Sequence, residues 1–393
     1  MSAATSVGQR GALVAAAEEL APLAGELAEQ IERDRGLPQE LRAKLLDAGL
    51  MNLCLPSSLG GVEAEPREFV LALEQLAHGD GATAWCAMIA STSSLLAAYL
   101  PQEQAREVYG GGRTISGGVF APRGRATRTE DGFRVTGRWP FVSGISHCDW
   151  LMGGCLVLDE GQQPELLAGG GPDVRLMLMP RDQVQLIDTW SVSGLRGTGS
   201  HDMAVDGLSV PAVRSASLLS EPAWAQGPLY AFPLFGLLAL GIASVAAGIG
   251  RGAVSDLLEL AGGKTPFGSA RTLAQRSTVQ AQVARAEAGL RAARALMLDA
   301  VADAWAEALA GHGISTDGRL GLRLAATHAT SAAADAAKAM YELGGGSSIY
   351  DSSPLQRRFR DVHVATQHMM VAPSTWELSG RLLLDLPTDV TQL

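Results

Sequence analysis

Apolar positions in the first hundred residues fall at helical spacing. Leu13, Ala16, Ala17 and Leu20, then Leu23, Leu27 and Ile31, mark one helix face. Leu41, Leu45, Leu46 and Leu50 repeat the pattern after Pro38, a residue suited to a first helical turn. Further helices are predicted near 68–78 and 82–99, separated from the earlier ones by the Leu-Gly-Gly at 59–61. From Thr114 the period changes. β-Branched residues, frequent glycine and an Asp131-Gly132 dipeptide between alternating residues signal a hairpin. Strands continue through "RLMLMP", "VQLIDTW" and "HDMAVDGLSVP", around a Gly-, Pro- and Gln-rich surface loop at 158–173. After Pro228 the pattern is helical again, over 228–250, 275–309, 318–343 and, past "GGGSSIYDSSP", 355–384 with an interruption at Pro373. Helices, then strands, then four long helices predict an α+β fold. The expected units are an N-terminal helical domain over 1–112, a central β-barrel-like domain over 113–215 and a C-terminal four-helix bundle over 216–393.

Composition narrows the function classes. A chain of 393 residues exceeds what one hydrophobic core supports. A net charge of -10 with no basic run argues against nucleic acid as a partner. Cys54, Cys86, Cys148 and Cys155 form no CxxC pair and have no histidine at ligand spacing, so no metal site is expected and a reducing cytoplasm fits. The N-terminus has no basic head followed by an apolar run, so no signal peptide is read. The uncharged stretch 228–250 is long enough to cross a bilayer, but Pro233 and several glycines interrupt it. A helix that is apolar all round also suits the middle of a large assembly, and that reading, without a membrane, is preferred.

Five fragments carry a family resemblance, in order along the chain: "LPSSLGG" at 55–61, "VTGRWPFVSG" at 135–144, "SGLRGTGSHDMAVDGLSVP" at 193–211, "KTPFGSARTLAQ" at 264–275 and "LGGGSSIYDSSPLQRRFRD" at 343–361. Together they resemble the acyl-CoA dehydrogenase superfamily. The resemblance implies a flavin between the β domain and the bundle, with Ser143 facing the N5 edge and Phe141 against the ring. It further implies cofactor contacts from Phe120, Gly144 and Arg196, and contacts to a neighbouring subunit's cofactor from Phe267 and Gln275. The turn Gly344, Gly345 and Gly346 would let backbone N–H groups approach the flavin's phosphate end. Lys264 stands where the family usually has Arg. A loose "GIGRG" at 248–252 lacks a preceding strand and reads as helix packing.

One departure sharpens the reading. The commonest acyl-CoA dehydrogenases place a proton-abstracting Glu eight residues past the Asp of their Arg-Asp pair; here that place holds Met369, whose thioether cannot act as a base. His368 precedes it. This histidine, with "W-x-x-x-S-G" at 139–144 and "L-R-G-T-G-S" at 195–200, resembles the two-component flavin monooxygenases of the same fold, most of all the indole-oxidising ones. That branch implies reduced flavin (FADH2 or FMNH2) delivered by a separate NAD(P)H-dependent reductase, O2 as co-substrate, and hydroxylation of a small indole-like or phenolic substrate through a flavin C4a-hydroperoxide. His368 would hydrogen-bond or deprotonate the substrate, with Ser143 as its catalytic partner; Trp85, Ser91 and Met369 would line the pocket. A homodimer or homotetramer is implied, since one subunit completes its neighbour's site. The alternatives are an acyl-CoA dehydrogenase with a relocated base and a catalytically silent scaffold of the same fold.

Overall fold

The computed structural model describes residues 11–393 apart from 160, 219, 312 and 392, so the first ten residues of the expected N-terminal domain lie outside it. Helices come first: α1 (Ala12–Glu26), α2 (Ala28–Asp34), α3 (Gln39–Asp47), α4 (Pro66–Gly79), α5 (Gly81–Ser93) and α6 (Gln102–Tyr109). In α4, Pro66 occupies the first turn, and Phe69, Val70, Leu73, Leu76 and Ala77 form one buried face. Asp80 starts α5 as its N-cap: the carboxylate accepts from the Thr83 N–H at 2.7 Å and from the Thr83 hydroxyl at 2.8 Å.

The strands β1 (Ser116–Thr129), β2 (Gly132–Trp139), β3 (Trp150–Leu158), β4 (Val174–Pro180), β5 (Gln185–Ile187), β6 (Asp202–Pro211) and β7 (Ser215–Ala216) form one sheet in the order β5-β6-β2-β1-β3-β4-β7. β1 and β2 make the predicted hairpin, with Thr129 opposite Gly132. β1 and β3 are parallel, and a register shift between Val119 and Gly124 places an irregularity in β1 across Phe120 and the three residues after it. Among the described residues the sheet of the expected barrel-like domain has β5 and β7 at its edges.

Five helices follow: α7 (Leu234–Gly263), α8 (Ser277–Leu309), α9 (Thr316–Gly344), α10 (Pro354–Ala365) and α11 (Ser374–Leu383). The apolar window of α7 is 83% buried inside the protein, which accounts for its lack of charge without a bilayer. In its Gly-Ile-Gly-Arg-Gly run, a Cβ on Gly248 would stand 2.3 Å from the Glu74 carbonyl, so the run lets α7 close on α4. The expected last helix is two. The Thr366 hydroxyl donates to the His363 carbonyl at 2.7 Å and competes with the helical ladder, while Pro373 brings no N–H and disfavours helical geometry at Ala372. Residues 366–373 become a turn, and His368 and Met369 lie in it rather than on a helix.

Candidate active site

Strand pairing brings two glycine-containing loops together. Trp139 at the end of β2 stands opposite Met203 at the start of β6, so the segments 140–147 and 195–201 share one end of the sheet. Backbone bonds lock them: Val142 N–H to the His201 carbonyl at 3.0 Å, and Gly144 N–H to the Thr198 carbonyl at 2.8 Å. Gly144 has φ +70°, which a residue without Cβ adopts at no steric cost.

Three buried hydroxyls lie where the loops meet: Ser143, Thr198 and Ser200. Ser143 Oγ is 2.8 Å from Ser200 Oγ, which is 2.6 Å from Thr198 Oγ1, and Thr198 donates to the Leu195 carbonyl at 2.8 Å. Trp85, carried in by α5, donates its indole N–H to Ser143 Oγ at 3.0 Å. Its ring also meets His368, edge-on, at 5.9 Å between centroids. One tryptophan therefore joins the two residues expected to be catalytic.

His368 is held neutral. Burial, reinforced by the Arg323 charge, lowers its pKa to about 4. Its Nδ1 accepts the Met370 N–H at 3.3 Å, which leaves the ring proton on Nε2. Arg323 reaches the same turn from α9, donating to the Met370 carbonyl at 2.6 Å. Of the two expected roles, hydrogen bonding and deprotonation, the ring's tautomer and low basicity favour the first.

Phe141 takes φ +65°, an uncommon and strained conformation for an aromatic residue, and its side chain is 69% exposed. It meets Trp190 edge-on at 6.2 Å, and Trp190 in turn donates to the Leu195 carbonyl at 3.1 Å. The Leu195 peptide is thus a hub. Its N–H is held by the Asp361 carboxylate at 2.6 Å, and burial pushes that carboxyl up to about 7. An exposed aromatic face on a strained backbone, beside a buried row of hydroxyls, suits a flat apolar ring with a polar edge, so these residues fit an isoalloxazine.

The other expected residues fall in several places. Met369 lies next to His368 and is 56% exposed. Phe120 packs half-buried against a second apolar cluster at the β1 irregularity. Arg196 points the other way, lining a crevice with Glu32, Asp80 and Asp361. The Ser91 hydroxyl accepts from the Leu53 N–H at 3.1 Å and donates to the Leu50 carbonyl at 3.3 Å, pinning α5 to the N-terminal turn. Phe267, Gln275, Gly345 and Gly346 are exposed, and among the described residues they make no hydrogen bond or ring contact with the Ser143 cluster. Gln275 closes a capping box with Thr272. Lys264 Nζ donates to the Gly344 carbonyl and to Ser347 Oγ, so it ties down the triple-glycine turn. Sequence reasoning missed Thr198, Ser200 and Arg323. The first two stood in the "L-R-G-T-G-S" motif without a role; nothing local marks Arg323, which acts across 47 residues.

The acyl-CoA dehydrogenase N-terminal domain matches residues 11–110 and the acyl-CoA dehydrogenase C-terminal domain matches residues 240–373. The chain is 32% identical to indole-3-acetate monooxygenase of Pseudomonas putida, over 90% of this chain and 88% of that one. It is 27% identical to the flavin-dependent monooxygenase oxygenase subunit HsaA of Rhodococcus jostii, over 89% and 92%. The crystal structure of XiaF from a Streptomyces species, in complex with FADH2 and glycerol, superposes with a TM-score of 0.88 at 27% identity, covering 98% of each chain.

Proposed function

The chain belongs to the acyl-CoA dehydrogenase family, and within it we propose that this protein is the oxygenase component of a two-component flavin-dependent monooxygenase hydroxylating a small indole-like or phenolic substrate. The observation that carries the reading is Trp85, which touches both Ser143 and a neutral His368. One oxygen atom of O2 enters the aromatic ring, the other leaves as water, and reduced flavin supplies the two electrons and the oxygen-activating ring. Phe141 would offer its face to that ring and Ser143 its oxygen to the polar edge. Trp85, Leu195 and the buried loops around them keep water from the edge. His368 donates from Nε2 to an oxygen or a substrate heteroatom, and Arg323 fixes that ring through the Met370 carbonyl. Met369 offers no base, so α-proton removal from an acyl thioester lacks its carboxylate at this place.

FADH2 and FMNH2 both fit the ring-binding residues, and a separate NAD(P)H-dependent reductase would deliver either. A homodimer or homotetramer is supported by the exposed Phe267, Ile349 and Tyr350. Four buried free cysteines suit a reducing cytoplasm. The test is single turnover: protein loaded anaerobically with reduced flavin is mixed with indole-3-acetate or a phenol and labelled O2. One labelled oxygen atom in the product is the expected result. Label in peroxide alone with every aromatic tried, or reduction of bound FAD by an acyl-CoA, overturns the assignment.

A further inference from the structure

The hydroxyl chain beneath Ser143 can run in one direction only. A carbonyl cannot donate, so Thr198 commits its single O–H to Leu195 C=O at 2.8 Å. Thr198 Oγ1 can then only accept from Ser200, at 2.6 Å, and Ser200 Oγ can then only accept from Ser143, at 2.8 Å. The indole N–H of Trp85 has nothing to accept with, and it takes one Ser143 lone pair at 3.0 Å. Ser143 is left with its proton facing Ser200, one lone pair occupied and one lone pair uncommitted. We propose that this one-way chain makes Ser143 an obligate acceptor that selects reduced over oxidised flavin, with Ser200 and Thr198 as positioning residues. The inference rests on the flavin reading above. N5 of a reduced isoalloxazine carries a hydrogen and donates, whereas N5 of the oxidised ring carries a lone pair and accepts. An uncommitted lone pair attracts the first and repels the second.

The far end of the chain is anchored against reversal. The Leu195 carbonyl also receives the Trp190 indole N–H at 3.1 Å and the Thr198 N–H at 3.1 Å, while its own N–H is held by Asp361 at 2.6 Å. Leu195 has φ +49°, so this peptide is set by its partners rather than by local preference. Ser143, Ser200 and Thr198 are 7%, 3% and 1% exposed, so bulk water offers no competing partner that would let a hydroxyl turn.

Equilibrium binding of FADH2 and of FAD to the full-length protein, measured anaerobically and without turnover, tests the chain. Wild type should prefer the reduced form. Ser200→Ala removes the acceptor of the Ser143 proton and frees that O–H to turn toward N5. Oxidised flavin should then bind more tightly, and the preference should narrow by roughly five- to tenfold, the worth of one neutral hydrogen bond. Thr198→Val, which leaves Ser143 and its immediate neighbour untouched, should narrow the preference in the same direction, and Ser200→Thr, which keeps a hydroxyl, should preserve it. A preference unchanged in both Ser200→Ala and Thr198→Val overturns the chain, as does equal weakening of both redox forms. Wild type that binds both forms equally overturns the chain alone. Wild type that binds no reduced flavin overturns the monooxygenase reading with it.

Discussion

The Ser143 cluster and the stretch running from Lys264 to Gln275 with the turn at Gly344, Gly345 and Gly346 are both expected to hold the same cofactor, yet they look unlike. In the first, each hydroxyl is buried and spoken for, and the loops are stitched by backbone bonds from β2 to β6. In the second, Phe267 is as exposed as in an extended chain, at 109%, and a Cβ on Gly268, Gly345 or Gly346 would meet nothing within 4 Å. Gly345 even keeps φ +54° with ψ -140°, a conformation reserved for glycine, on an open surface. Groups that work within one chain leave hydrogen bonds as their trace. In the proposed assembly, groups that work on a second copy would leave exposed apolar surface and an open glycine, as Phe267 and Gly268 do.

The largest effect lies in the buried region. His368→Ala should lower product formation by roughly 10²–10³-fold, the usual worth of one preorganised donor, while reduced flavin still consumes O2 and releases peroxide. Product and peroxide measured together check it, and an unchanged product yield removes His368 from the site. Because burial and Arg323 hold the wild-type ring near pKa 4, hydroxylation should show no limb near pH 6.5 from this residue.

Phe141→Ala comes next, with a loss of about tenfold in reduced-flavin affinity from the missing aromatic face. Melting temperature should hold or rise slightly, since the substitution removes an exposed side chain from a residue at φ +65°. A destabilised protein with normal affinity would make Phe141 a packing residue.

In the outer region, Phe267→Asp should leave the melting of the isolated subunit alone and reduce both assembly and flavin affinity, each by a few-fold, reflecting lost apolar contact between copies. Sedimentation and flavin titration on the same samples check the pairing. Unchanged assembly, or a folding defect in the subunit, breaks the contrast between the two regions.

The sequence made the architecture readable because period and punctuation agree: helical spacing to Tyr109, alternation from Ser116 to Ala216, helical spacing from Leu234 onward. The family fragments led to Ser143, Phe141 and His368 together. Three things were hidden. One edge of the sheet, β7, is a strand of two residues, too short to leave a pattern. The hydroxyl chain depends on the β2–β6 register, which brings Ser143 and Ser200 together across 57 residues, and no local motif reports that distance. The turn holding His368 was hidden for a third reason. Its apolar spacing continues past Ala365, although the helix stops there, before the interruption expected at Pro373.

The smallest expected effect sharpens the picture of the buried region through His147, a residue with no predicted role. Its Nε2 accepts the Leu37 N–H at 2.9 Å, joining the turn after Ser143 to the segment between α2 and α3. Burial, with a contribution from the Arg42 charge, lowers its pKa to about 4. The unfolded chain takes up a proton near pH 6.5 that the folded ring refuses until about pH 4. Stability from this group is therefore complete above pH 6.5 and is lost as pH falls through that window, by roughly 1.4 kcal/mol per unit at most. His147→Gln offers an amide oxygen to the same N–H and does not titrate. His368, also depressed, and Asp361, raised, titrate in both proteins and cancel in the comparison. Between pH 7 and pH 5 the wild-type melting temperature should fall more steeply than that of the variant, by a few degrees or less in a chain of this size. Parallel melting curves would mean that His147 is protonated in the folded protein, and that the loop bearing Ser143 is open enough to solvent for the ring to stay charged.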